Sequence, residues 1–174
     1  MADARHARCP GCGASVAEID GPTHAYVASA PGCWKPFGEI QADELTRFGY
    51  PDAHRLVVDA YMAQHPGDGH DRRDRQSVFF HLASICALTE RSLPLGFASK
   101  LLSRVTQGWH EFPLLRRSSG PGALNVLHMR GAADLDDYTS RAQEWAAAVW
   151  DSWREQHDLI RSALDEAASP KSSR

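Results

Sequence analysis

The stretch that decides the fold is residues 134–167, "DLDDYTSRAQEWAAAVWDSWREQHDLIRSALDEA". Its apolar side chains recur every three or four residues, which is the spacing of one face of an α-helix. The residues with this spacing are Tyr138, Ala142, Trp145, Val149 and Trp153, and Ile160 and Leu164 extend the same face. Acidic residues crowd the start, where the helix dipole favours negative charge. We therefore predict a long amphipathic helix whose tryptophans belong to a core.

Upstream of this helix, four segments show helical spacing between Pro and Gly boundaries. They cover residues 36–48, 51–65, 73–92 and 95–106. Residues 107–123 contain two prolines and three glycines, which predicts a long loop. The sequence thus predicts one domain of mainly α class. We expect a bundle of four to five helices over residues 36–167, an irregular lobe over residues 1–35 and a flexible tail over residues 168–174.

The composition narrows the function classes. Hydrophobic residues make up 43% and charged residues 24% of the chain, as in ordinary globular domains. The net charge of -3 gives no general attraction for nucleic acid, and the basic clusters are short. No apolar run is long enough for a membrane span or a signal peptide. We predict a cytoplasmic protein that binds neither nucleic acid nor membrane, with its cysteines reduced.

The N-terminal lobe contains a metal-binding motif, Cys9-Pro-Gly-Cys12-Gly. Two thiolates separated by two residues bind one zinc ion, and the glycine after the second lets backbone amides face the sulfurs. A structural zinc site needs four ligands, and the same lobe contains His24 and Cys33. The candidate metal ligands are therefore Cys9, Cys12, His24 and Cys33, and the candidate cofactor is Zn²⁺.

Three alternatives remain open for this motif. The two thiols of Cys9 and Cys12 could be a redox pair, although the following residues give no helix start of the usual kind. They could be free thiols in a surface loop. The metal could also lie across the bundle, shared by Cys9 and Cys12 with His24 or His65.

The second and third helices carry a further group of polar residues. A connecting loop of about seven residues favours antiparallel packing, which would bring His54, Asp59 and His81 together. His65 ends the second helix against Pro66-Gly67, where a pocket could open. We predict His65, His81 and Asp59 as candidate catalytic residues, since imidazole and carboxylate suit acid-base or metal chemistry. The structural alternatives are a core histidine at position 81, dipole stabilisation by His65 and a simple Arg55–Asp59 ion pair.

Several segments together resemble a family of uncharacterised, mainly actinobacterial proteins catalogued as a domain of unknown function. These segments include "CPGCG", "GPTHAYVASAPGCW", "VDAYMAQHPGD", "QSVFFHLASICALTER" and "EWAAAVWDSW". The similarity extends from about Cys9 to about Arg161. The resemblance implies that Gln64 to Gly67, Ser77 and His81 belong to the family's pattern, but it implies no activity. The chain departs from the expected Leu-Thr-Val at Asn125, which puts a hydroxyl role there in doubt.

Two functions of different class follow from these observations. The first is a metal-binding helical protein with a small-molecule pocket, in which metal-assisted hydrolysis is the simplest chemistry. The second is a non-catalytic protein-binding or regulatory module in which zinc only stabilises the lobe. A closed site of four Cys/His ligands favours the module, and an open site facing a cavity favours the enzyme.

Overall fold

The computed structural model describes residues 5–109 and 111–169, in which six α-helices follow a small β-hairpin. The strands are β1 (His6–Arg8) and β2 (Ser15–Ala17), and the helices are α1 (Pro31–Phe48), α2 (Ala53–Gln64), α3 (Arg72–Ile85), α4 (Leu95–Gly108), α5 (Leu135–Ser152) and α6 (His157–Ala168). The mainly α class is therefore confirmed. Of the predicted tail, residues 170–174 lie outside the described residues.

The core forms where α2 packs between α3 and α5, while α4 packs against α6. Trp145 and Trp153 are fully buried, and Trp150 is nearly so. The aromatic stripe of the last helical segment is thus core, as its spacing predicts. No helix in the described part of the chain has both the length and the apolar run that crossing a bilayer requires.

The first helix begins at Pro31, not at Pro36 as predicted, so Pro36 lies inside α1. Either proline suits a first turn, and tertiary contact decides between them. A Cβ atom at Gly32 would lie 2.0 Å from the Ala17 carbonyl oxygen, so the helix start packs directly on β2. One consequence is that Cys33 lies in the first turn of a helix and not in a loop.

The long C-terminal helix is broken in two, which raises the number of helices above the predicted four to five. A 3₁₀ turn, Arg154–Gln156, separates α5 from α6. Ser118 of the preceding loop forms hydrogen bonds with backbone groups at this break. Its amide donates to the Ser152 carbonyl at 3.0 Å, and its hydroxyl accepts from the Glu155 amide at 2.9 Å. The loop therefore contacts the break from outside, while His157 contacts it from within the helical segment, since its Nε2 atom lies 3.0 Å from the Trp150 carbonyl oxygen.

Candidate metal centre

The hairpin turn presents the first two cysteines. The Cys9 amide donates to the Ala14 carbonyl at 2.9 Å, and the Gly13 amide donates to the Cys9 carbonyl at 2.9 Å. Gly13 has φ 72°, a left-handed conformation that glycine adopts without strain. The amides of Cys12 and Ala14 face the sulfurs of Cys9 and Cys12, respectively. The motif thus has the amide arrangement that its sequence predicts.

Two helix ends supply the other donors. Cys33 lies in the first turn of α1, close to the hairpin that carries Cys9 and Cys12. His65 follows the last residue of α2, and its backbone is held by the Ala28 amide, which donates to the His65 carbonyl at 3.1 Å. The His65 Nδ1–H donates to the Tyr61 carbonyl at 2.7 Å. This bond orients the ring so that Nε2 faces the thiols.

The four side chains form a buried Cys₃His cluster. The sulfurs of Cys9, Cys12 and Cys33 and a nitrogen of His65 all lie within 4.8 Å of one another. Cys12 Sγ is 3.7 Å from Cys33 Sγ, and Cys33 Sγ is 3.4 Å from His65 Nε2. Tetrahedral zinc with ordinary bond lengths would place its ligands about 3.8 Å apart for two sulfurs and about 3.6 Å apart for sulfur and nitrogen. The residues present therefore fit one tetrahedral metal ion.

The electrostatics of the cluster agree with that geometry. Hydrogen bonds from Cys12 and Cys33 lower the pKa of Cys9 far below its ordinary value, whereas hydrogen bonds with Cys33 and Cys9 raise the pKa of Cys12. Burial lowers the pKa of His65, but hydrogen bonds with Cys33 and Cys9 and the negative charge of Cys33 outweigh it and raise the pKa to about 9. The donors thus compete for protons in a small volume. A divalent cation would displace those protons and relieve the competition.

Aromatic and polar side chains surround the donors. Tyr61 is fully buried and stacks on His65 at 4.1 Å and on Phe37 at 3.9 Å between ring centroids. Its hydroxyl lies 2.6 Å from the Ser29 Oγ atom. Partners of this kind hold ligand side chains in position and are a regular feature of metal sites.

The structure brings together three of the four predicted metal ligands, with His65 in place of His24. His24 is exposed; its Nδ1 accepts from the Tyr26 amide at 3.3 Å, and its ring lies 6.0 Å from that of Trp34. His65, predicted as catalytic, is fully buried among the thiols. The signal for it was the Pro66-Gly67 break, which places a histidine at a helix end. Sharing of a metal between the motif and His65 was one of the alternatives that the sequence left open.

The other two predicted catalytic residues form a separate pair. Asp59 is fully buried, and its oxygens accept from His81 Nδ1 at 2.7 Å and from Arg55 Nε at 2.9 Å. This network ties α2 to α3 and satisfies a buried charge, which is sufficient reason for its presence. The catalytic assignment of Asp59 and His81 remains a prediction.

His54 does not join Asp59 and His81. Its Nδ1 lies 2.9 Å from Glu44 Oε1, and the other oxygen of Glu44 accepts from the Tyr138 hydroxyl. Glu44 is fully buried, although it belongs to the polar stretch "QADELT", whose composition suggests an exposed segment. It lies four residues after Ile40 and four before Phe48, so helical spacing alone was a signal for its burial.

Fold and site define a small, mainly helical protein in which a hairpin and two helix ends build a candidate Cys₃His metal-binding cluster. The sequence model of the family of unknown function DUF5946 matches residues 7–154, so the chain belongs to that family. The matched span contains all four donors of the cluster. Searches of curated proteins and of solved structures found no match to the chain.

Proposed function

We propose that the four donors Cys9, Cys12, Cys33 and His65 bind one zinc ion as a closed structural centre. In this proposal the protein is a non-catalytic protein-binding or regulatory module of the cytoplasm. The observation that carries it is the convergence of four buried Cys and His donors within 4.8 Å. A site with four such ligands has no open position for a substrate or a water molecule.

The donor chemistry favours zinc over other metals. Thiolate and imidazole ligands in a tetrahedral S/N arrangement suit Zn²⁺, whereas Mg²⁺ and Ca²⁺ prefer oxygen ligands. Iron–sulfur clusters are held mainly by four cysteines, and here the fourth donor is an imidazole. All four cysteines of the chain are free thiols, as a reducing compartment favours.

Metal-assisted hydrolysis has less support. It requires a coordination position for water and a nearby acid-base residue. His65 is engaged in the cluster, and the Asp59–His81 pair lies outside it. A cleft of about 570 Å³ lies between α4 and α6, and the residues that line it include none of these groups.

Metal analysis of ligand variants tests the proposal. We expect untagged protein, purified without chelator, to contain about one zinc ion per chain. Cys9→Ser and His65→Ala should lose most of this zinc, because a closed site depends on every ligand. His24→Ala and His81→Ala should keep it, since both residues lie outside the cluster. Plasma mass spectrometry provides the measurement, and a cobalt-substituted sample should show thiolate-to-metal charge transfer and tetrahedral d–d bands.

The outcomes separate the alternatives. Zinc lost with His81→Ala but kept with His65→Ala would place the ion at the bundle and support an enzyme. Protein without metal in every preparation would refute the zinc centre and leave the thiols as a redox or structural group.

The fourth cysteine allows a second test. Cys86 is fully buried in a π-helical turn after α3, and burial raises its pKa to about 11. Because the thiolate is the reactive form, Cys86 should react slowly with an aromatic disulfide reagent near neutral pH. We expect zinc-loaded protein to show little reaction, chelated protein to expose Cys9, Cys12 and Cys33, and denatured protein to expose Cys86 as well. Rapid reaction of all four thiols with zinc bound would contradict the centre.

A further inference from the structure

The loop of residues 111–125, here called the bridging loop, reaches the metal centre through Arg117. One guanidinium nitrogen, Nη2, donates to the Gly11 carbonyl at 3.0 Å, and the other, Nη1, donates to the Gln64 carbonyl at 3.2 Å. Gly11 lies between Cys9 and Cys12, and Gln64 directly precedes His65. One side chain thus holds both backbone segments that carry three of the four donors.

The side chain of Gln64 forms a second connection between the metal centre and the bridging loop. Its side chain is fully buried, and Nε2 donates to the carbonyls of Pro121 and Leu124 at 2.6 and 2.7 Å. Its Oε1 accepts from Trp145 Nε1 at 3.1 Å. The residue before a metal ligand is therefore tied to the bridging loop and to α5. A displacement of His65 would strain these bonds.

At its other side, the bridging loop contacts the break between α5 and α6. Ser118, adjacent to Arg117, pairs with Ser152 and Glu155 at this break. The Arg117 guanidinium lies 5.9 Å from the ring centroid of Trp153, where α5 ends. The loop therefore connects the centre to the α5–α6 junction within a few residues.

Charge gives Arg117 a further reason to respond to the metal. Three thiolates and a neutral imidazole around Zn²⁺ leave a net charge of about -1. A part-buried guanidinium beside this charge is stabilised by it, and in turn it stabilises the thiolates. Loss of the ion would change the charge of the cluster and with it the electrostatic field at Arg117.

We infer that Arg117 couples metal occupancy to the packing of the bridging loop and, through Ser118, to the α5–α6 junction. The inference rests on the proposed zinc centre and names the regulation of that site. Metal release would free the loop and alter the surface that it forms with α5 and α6. Arg117 is a positioning residue in this account, because it acts through backbone carbonyls and not on the ion.

Hydrogen exchange of the wild-type protein, with and without chelator, tests the coupling directly. Chelation should accelerate exchange by about tenfold or more in three segments, residues 9–13, 113–124 and 152–156, as expected for loss of contacts around a metal site. Helices α3 and α4 should keep their protection. The inference would be overturned if chelation left exchange in residues 113–124 unchanged, or if it accelerated exchange equally in all helices.

Substitution of Arg117 tests the route. In zinc-loaded Arg117→Ala, exchange in residues 113–124 should approach that of chelated wild type, and zinc transfer to a chromogenic chelator should become about tenfold faster. Arg117→Lys keeps the positive charge but cannot donate to two carbonyls in the same geometry. Its loop exchange and its zinc transfer should therefore be intermediate between those of the wild type and of Arg117→Ala. The control is Arg116→Ala, which removes the same charge from an exposed neighbour and should leave both readouts unchanged.

Unchanged zinc transfer and loop exchange in Arg117→Ala would overturn the route through this residue. If Arg117→Ala does not fold, Arg117→Lys and the wild-type comparison decide the question. Failure of the proposed function is distinguishable, because wild-type protein would then contain no zinc before any substitution is made.

Discussion

Chelation of the bound zinc should lower the melting temperature of the protein by about 8–16 °C. Zinc present at about a thousand times its dissociation constant stabilises the folded state by about 4.1 kcal/mol. In a chain of this size each kcal/mol shifts the melting temperature by about 2–4 °C. Thermal unfolding followed by circular dichroism, with and without a chelator, measures the shift.

Substitution of a ligand should reproduce this effect. Cys33→Ser should melt near the chelated wild type and respond little to chelator, because it has already lost the ion. Cys86→Ala is the matched control: it removes a buried thiol outside the cluster, so its chelator-dependent shift should equal that of the wild type. Equal melting temperatures with and without chelator in the wild type would contradict a structural role for the metal.

The hairpin explains why the effect should be large but not total. Its strands have three residues each, and an isolated two-stranded hairpin is marginally stable in water. The bundle, in contrast, has its own core around Trp145, Tyr61 and Phe79. Chelated protein should therefore remain largely helical at low temperature while its hairpin loosens.

Much of the bundle could be predicted because its signal is local. The stripe of residues 138–164 has helical spacing, and the antiparallel packing of α2 on α3 follows from a short loop. That packing correctly brings Asp59 to His81, which are 2.7 Å apart. The break at Trp153 could not be predicted from helical spacing, since its backbone pairs with Ser118, a residue outside the helix.

The cluster was predictable only in part, for a comparable reason. Cys9 and Cys12 can be recognised as metal ligands by their spacing, whereas His65 is separated from Cys33 by 32 positions along the chain. The distance between His65 and Cys33 in the folded protein depends on how the end of α2 packs on the start of α1. His24 lies nearer in sequence but faces the surface beside Tyr26. Sequence proximity is a poor guide to a site built from helix ends.

Gly11→Ala should be among the most damaging single substitutions in the chain. A Cβ atom there would lie 2.4 Å from His65 Cδ2 and 2.5 Å from the Ala28 carbonyl oxygen. Neither neighbour can move freely, because His65 is held by Tyr61 and Ala28 pairs with the His65 backbone. We expect destabilisation of about 3 kcal/mol, the upper end of the usual cost of overpacking. Zinc affinity should fall by about 10–100-fold, as for loss of contacts that position a ligand.

Gly38→Ala is the matched control for this prediction. It makes the same chemical change on the exposed face of α1, where no atom lies within 4 Å of the added Cβ. There, alanine should stabilise the helix by about 0.5–1 kcal/mol and leave zinc affinity unchanged. Denaturant unfolding and competition with a zinc indicator measure both quantities. If Gly11→Ala matched Gly38→Ala in both, the hairpin turn would not be packed against His65, and the shared metal centre would lose its geometric basis.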